Sequence, residues 1–96
     1  MSGVEHYWVN DLTPGEVNRR VDGYEKLGYG DFVPDYINSP RLAQKIVERE
    51  KITSDFVNGE WVAGVPQGHE LYGTFALGKT AHEAQMRMYL LIKEGL

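Results

Sequence analysis

Three histidines, His6, His69 and His82, are the side chains of this sequence best suited to metal binding or acid–base chemistry near neutral pH. No two of them stand four residues apart, as the two histidines of a zinc-binding helix do. The chain has no cysteine, which excludes thiol catalysis, disulfides and thiolate metal sites. The sequence therefore predicts no metal site and no cofactor.

Nucleophilic catalysis is not indicated either. Ser39 directly precedes a proline and is interpreted as a helix N-cap, while Ser2 and Ser54 lack the context of a nucleophile elbow. Gly28 and Gly30 do not complete a dinucleotide-binding or phosphate-binding glycine pattern after a strand. We therefore expect a protein that is not an enzyme.

An aromatic-rich segment, residues 28–38, is the best candidate for a contact surface. Its glycines, its proline and its lack of any helical or strand period predict an ordered loop. Large aromatic side chains dominate protein interfaces, and they also stack on nucleic-acid bases. A loop that closes over the protein's own core is an equally open interpretation. The candidate binding residues are Tyr29, Asp31, Phe32, Asp35 and Tyr36.

Arg41, Lys45 and Arg49 recur at helical spacing and predict a basic stripe on one side of a helix. This stripe could contact phosphates or an acidic partner, although a solvated helix face is the ordinary alternative. Arginine can pair with phosphate through two hydrogen bonds and an aromatic ring can stack on a base. The stripe and the loop together contain the residue types that a nucleotide-like ligand needs. The sequence leaves open whether they meet in space.

The elements that position these residues are clearest near the C-terminal end of the chain. Thr80 and Glu83 have capping-box spacing, which predicts a helix that begins directly after Thr80 and stops at Gly95. Met86 and Leu90 lie off the main apolar stripe of this helix, so we expect burial on a second side, either by the loop or by another subunit of a homodimer. The main stripe consists of Ala81, Ala84, Met88, Leu91 and Ile92.

The remaining patterns predict two more helices and several short strands. Thr13-Pro14 and Ser39-Pro40 each combine an N-cap with a proline at the first helical position, and Asn58-Gly59 favours a type I′ hairpin. We expect one α+β domain, residues 1–96, with three helices and an antiparallel sheet of three to four strands in the order β-α-α-β-β-β-α. The first and last helices should pack on the sheet, with the middle helix near an edge or on the opposite face. The predicted helices cover residues 14–27, 40–50 and 81 onward, and the predicted strands cover residues 4–9, 52–57, 60–65 and 71–77.

Composition limits the partners. The net charge of -4 opposes non-specific binding to nucleic acid, which requires a field that attracts phosphate. No apolar run approaches the roughly 18 residues of a membrane span, and the first residues show no signal-peptide pattern. These features predict a cytoplasmic protein that does not insert into a membrane.

Several segments together carry a resemblance to a known family: residues 11–21, Ser39, residues 46–52, Trp61-Val62-Ala63, Gly78-Lys79-Thr80 and residues 84–87. They resemble the NinX-like family of small phage proteins, a domain of unknown function that is similar to the phage alpha-beta-alpha sandwich domain. In that family paired glycines usually precede the Ile-Glu-Arg segment, but here Leu42-Ala43-Gln44 stands in their place, which argues against a function that rests on a glycine-backbone site there. The resemblance implies a phage-encoded accessory protein made in the bacterial cytoplasm and brings no catalytic residues.

These observations favour a protein that acts by binding a host or phage protein, such as a host-defence or host-takeover target. The alternative is a protein that binds or sequesters a small ligand, for example a nucleotide signal.

Overall fold

The computed structural model describes residues 6–96 and has the predicted α+β fold. None of the helices in this part of the chain is long and apolar enough to cross a membrane. In chain order, a 3₁₀ turn at Trp8–Asp11 precedes α1 (Pro14–Glu25), α2 (Pro40–Glu50), β1 (Thr53–Val57), β2 (Glu60–Gly64), β3 (Ala76–Gly78) and α3 (Ala81–Glu94).

The helix starts follow the capping chemistry of the sequence. In α1 the Glu16 backbone N–H donates to Thr13 Oγ1 at 3.2 Å and the Thr13 N–H donates to Glu16 Oε1 at 2.8 Å, which completes the capping box. The α3 cap differs in one bond, because Glu83 Oε1 accepts the N–H of Lys79, at 2.6 Å, instead of the N–H of the cap residue Thr80. Ser39 occupies the N-cap of α2 without a side-chain capping bond.

The sheet is antiparallel in the order β1-β2-β3. Asn58 and Gly59, with φ of 51° and 85°, form the two-residue turn between β1 and β2, as a type I′ hairpin requires. The third strand is shorter than predicted because turns occupy much of residues 67–73, with Gly68 and Gly73 both at positive φ. The hairpin prediction is confirmed, and the boundary of the third strand is corrected.

The predicted first strand, residues 4–9, is wrong for its described part, and Val4 and Glu5 lie outside the described residues. Trp8–Asp11 forms a 3₁₀ turn that buries Val9. Asn10 Oδ1 accepts the Leu77 N–H at 2.9 Å, so a side chain satisfies a backbone donor of β3 where a fourth strand could have paired.

The helix packing also differs from the prediction. Only α3 packs extensively on the sheet, whereas α1 and α2 pack mainly against α3. The reason is that α3 is buried around its circumference, from Glu83 to Leu91, and therefore needs cover beyond the sheet. This arrangement places α3 at the centre of the fold.

Candidate functional site

Tyr29 and Phe32 form an exposed aromatic pair on the loop between α1 and α2. Their side chains are 81% and 60% exposed, and their ring centroids are 6.1 Å apart. The two residues form an isolated β-bridge, in which the Phe32 N–H donates to the Tyr29 carbonyl at 3.0 Å, and Gly30 turns the chain at φ 59°. Two large rings are thus presented to solvent on a closed turn.

Asp22, on α1, holds one end of this loop. Its Oδ1 accepts the N–H groups of Leu27 and Gly28, at 3.0 and 2.9 Å, and the hydroxyl of Tyr36 at 2.7 Å. The bond from Tyr36 is the main reason that the pKa of Asp22 lies below its usual value. A Cβ at Gly28 would lie 2.3 Å from the Phe32 carbonyl oxygen, so only glycine allows this close return of the chain.

Asp35 holds the other end. Its carboxylate accepts hydrogen bonds from the side chains of Asn18 and Asn38, at 3.0 and 2.8 Å, and from the Asn38 N–H. The bond from Asn38 contributes most to the lowered pKa of Asp35. Asn18 also accepts the Ile37 N–H at 3.1 Å, which ties the loop to α1 a second time. The aromatic pair therefore lies on a loop fixed at both ends.

The structure separates the predicted loop residues into two groups. Tyr29, Asp31 and Phe32 are exposed and available to a partner. Asp35 is exposed but engaged with α1 and the loop, and Tyr36 is fully buried with its hydroxyl on Asp22. The interpretation of Tyr36 as a contact residue is therefore corrected, because this aromatic ring belongs to the core.

The basic stripe on α2 is only partly available. Arg41 and Lys45 are exposed, but Arg49 donates to both carboxylate oxygens of Glu25, at 2.6 and 3.1 Å, and to Glu50 at 3.1 Å. The hydrogen bond with Glu25 is the main cause of the raised pKa of Arg49. Nucleotide binding through the stripe and the loop aromatics stays a prediction, with Arg49 and Tyr36 each engaged inside the protein.

Glu25 joins the C-terminal ends of α1 and α2 to the middle of α3. Its carboxylate accepts a hydrogen bond from the hydroxyl of the buried Tyr89 as well as the two hydrogen bonds from Arg49. Burial acts to raise the pKa of Glu25, but the hydrogen bonds from Arg49 and Tyr89 outweigh it and the pKa is lowered. Lys93 adds a cation 5.6 Å from the Tyr89 ring centroid. This network stabilises the helix assembly.

Met86 and Leu90 have no exposed surface. They were predicted to be covered by the loop or by a second subunit, and both are fully buried within one chain, which leaves no surface for a second subunit to cover. The pair is thus corrected from an oligomer contact to a core contact.

The sequence patterns did not identify the α1 residues that hold the loop in place. Asp22 and Asn18 look like solvated polar positions of α1, yet both bind loop backbone N–H groups. Their residue types were the available signal, since aspartate and asparagine often bond nearby backbone groups.

Within residues 6–96, no group of three or more His, Asp or Glu side chains converges as a metal site. Comparison with known proteins found no matching family model, curated protein or solved structure.

Proposed function

We propose that this chain is a non-enzymatic protein that binds another protein through the exposed pair of Tyr29 and Phe32. The observation that supports this proposal is the combination of high exposure with a loop held by Asp22 and Asp35. A loop whose backbone is already held loses little conformational entropy on binding, so more of the burial of its rings contributes to affinity.

Charge beside the rings suggests the kind of surface that the partner presents. Asp31 lies between Tyr29 and Phe32 in sequence, and its side chain is exposed. A matching partner would place a basic side chain near this carboxylate and an apolar pocket over the rings. Its association rate would then fall as salt is added.

The resemblance to NinX-like proteins supports a phage-encoded accessory protein that acts in the host cytoplasm. Within this proposal the partner is a host or phage protein, and a component of host defence or host takeover would suit such a role.

Photo-crosslinking tests the binding surface. A photoreactive amino acid replaces Leu27, which is 53% exposed at the start of the loop and has no proposed role in binding. The protein is irradiated in bacterial lysate with and without Tyr29→Ala and Phe32→Ala. Hot-spot residues contribute about 2 kcal/mol or more, so we expect recovery of a specific partner to fall with a Kd increase of about 30-fold for either substitution.

Tyr72→Ala is the matched control, because Tyr72 is 59% exposed but lies outside the loop. Partner recovery should be unchanged in this variant, and all variants should keep the thermal stability of the parent protein. A crosslinked partner retained equally by the loop variants and the control would contradict the proposed surface.

A further inference from the structure

A second region with ligand-binding features is a cleft of about 500 Å³ formed by the 3₁₀ turn, the β1–β2 turn, the end of β3 and the first turns of α3. None of its lining residues comes from the loop of residues 28–38. Cavities that bind small molecules commonly measure about 300–1,000 Å³. The residues of this cleft that bear on its chemistry are His6, Asn10, Glu60, Lys79, Glu83 and Arg87.

Arg87 is only 9% exposed, and among the charged residues that line the cleft only Glu83 is more deeply buried. Its Nη1 donates to the Leu77 carbonyl at 2.9 Å and lies 3.3 Å from Glu83 Oε1, while its Nη2 donates to the Leu12 carbonyl at 2.7 Å. Its Nε has no hydrogen-bond partner among the described residues. A buried guanidinium N–H without an acceptor is unfavourable, because it has lost its bond to water.

Asn10 shows the same imbalance. Its Oδ1 accepts the Leu77 N–H, but its Nδ2 is buried and has no partner among residues 6–96. Within this part of the chain, Asn10 Nδ2 and Arg87 Nε are the buried side-chain nitrogen or oxygen atoms that lack a partner, and both belong to residues that line this one cleft. Both are donors, so an acceptor would satisfy them.

Two cations, Lys79 and Arg87, line the cleft and can attract a negatively charged acceptor. Lys79 is exposed, and His6 is exposed and contacts Asp11 at 2.8 Å. Two carboxylates oppose an anion, but that of Glu83 already accepts the Lys79 N–H and pairs with Arg87, and Glu60 is exposed and can turn towards solvent.

We propose that this cleft binds a small molecule carrying an oxyanion, a carboxylate or a phosphate. Its oxygen atoms accept hydrogen bonds from Arg87 Nε and Asn10 Nδ2, and the ammonium group of Lys79 contributes attraction. Neither nitrogen is accessible to solvent in this structure, so the ligand reaches them only when side chains that line the cleft move.

NMR spectroscopy tests the site directly, because the Nε–H of a buried arginine gives its own proton–nitrogen signal. The protein is titrated at constant ionic strength with inorganic phosphate in one arm and citrate in the other, each to about 10 mM. We expect saturable shifts of the Arg87 Nε–H and Asn10 side-chain amide signals and of the Lys79 backbone amide. Saturation by phosphate alone, or by citrate alone, identifies which oxyanion the site takes.

Lys79→Gln removes an exposed charge from the cleft, and Lys45→Gln removes one from α2 outside it. The apparent Kd should rise severalfold in the first variant and stay unchanged in the second. Linear shifts spread over the surface in both arms, or equal titrations of the two variants, would overturn the proposal. Because the signals of Asn10 and Arg87 are read in the unmodified protein, the result does not depend on a substitution in the core.

Discussion

Replacing Tyr36 by phenylalanine removes the hydroxyl that Asp22 binds while keeping the buried ring. The bond is 2.7 Å long and its acceptor is a carboxylate. A hydrogen bond to a charged group contributes about 1.5–3 kcal/mol, and Asp22 is only half-buried, so we expect the free energy of unfolding to fall by about 1.5 kcal/mol. In a domain of this size, that loss lowers the Tm by roughly 6–12 °C.

The effect should depend on pH with a definite sign. The folded state lowers the pKa of Asp22 below its usual 3.8, with the Tyr36 bond as the largest cause. A lowered pKa stabilises the folded state above the unfolded pKa, and this stabilisation is lost as pH falls through the folded value. The stability difference between the parent protein and the Tyr36→Phe variant should therefore be constant at neutral pH and shrink below pH 3.8.

Urea unfolding at a series of pH values measures both quantities. Tyr72→Phe is the matched control, because its exposed hydroxyl is removed from a different turn, and it should change the free energy of unfolding by less than about 0.5 kcal/mol. If Tyr36→Phe behaved like this control at neutral pH, the bond to Asp22 would not be what holds the loop on α1.

Two further predictions concern glycines and the helix network. Gly23→Ala should raise the free energy of unfolding by about 0.5–1 kcal/mol, because a Cβ at this position of the helix meets open space. Gly28→Ala should lower the free energy of unfolding, because its Cβ would lie 2.3 Å from the Phe32 carbonyl oxygen. Thermal melting of both variants would show whether the two substitutions change stability in opposite directions. Glu25→Gln should destabilise by about 1–3 kcal/mol at pH 7, and the gap should close as pH falls below 4.5, because the lowered pKa of Glu25 stabilises the folded state only while the carboxylate is ionised. Urea titrations at pH 7 and pH 3 would measure it, and an equal gap at both would contradict the ionic origin.

Features with a local chemical cause could be predicted from the sequence. The Thr13 cap, the proline of α2 and the Asn58-Gly59 turn each act within a few residues, and each predicted element formed. The strand predicted at residues 4–9 is wrong for residues 6–9, the part that the structure describes, and directly after them Asn10 accepts a backbone N–H from 67 residues away. No periodicity records such a contact.

The loop that carries the aromatic pair could be predicted from the sequence, but the exposure of its individual side chains could not. The composition of residues 28–38 indicated a loop with aromatic contacts, and Tyr29 and Phe32 are exposed. Tyr36 has the same residue type as Tyr29 but is buried, and what separates them is the position of Asp22 below the loop. Arg49 was likewise predicted to belong to the basic stripe on α2. The sequence did not show its pairing with Glu25, because that pairing depends on how α1 and α2 pack together.

The central position of α3 has a consequence for biosynthesis. The ribosome makes α3 after α1, α2 and the three strands, yet α3 supplies the surface against which they are buried. On the ribosome, the earlier helices and the hairpin emerge with their apolar faces uncovered, and none of them can complete its packing until residues 81–94 have left the exit tunnel. The native packing of α1, α2 and the hairpin therefore waits for α3, and a nascent chain stalled before Thr80 would leave their apolar faces exposed to water.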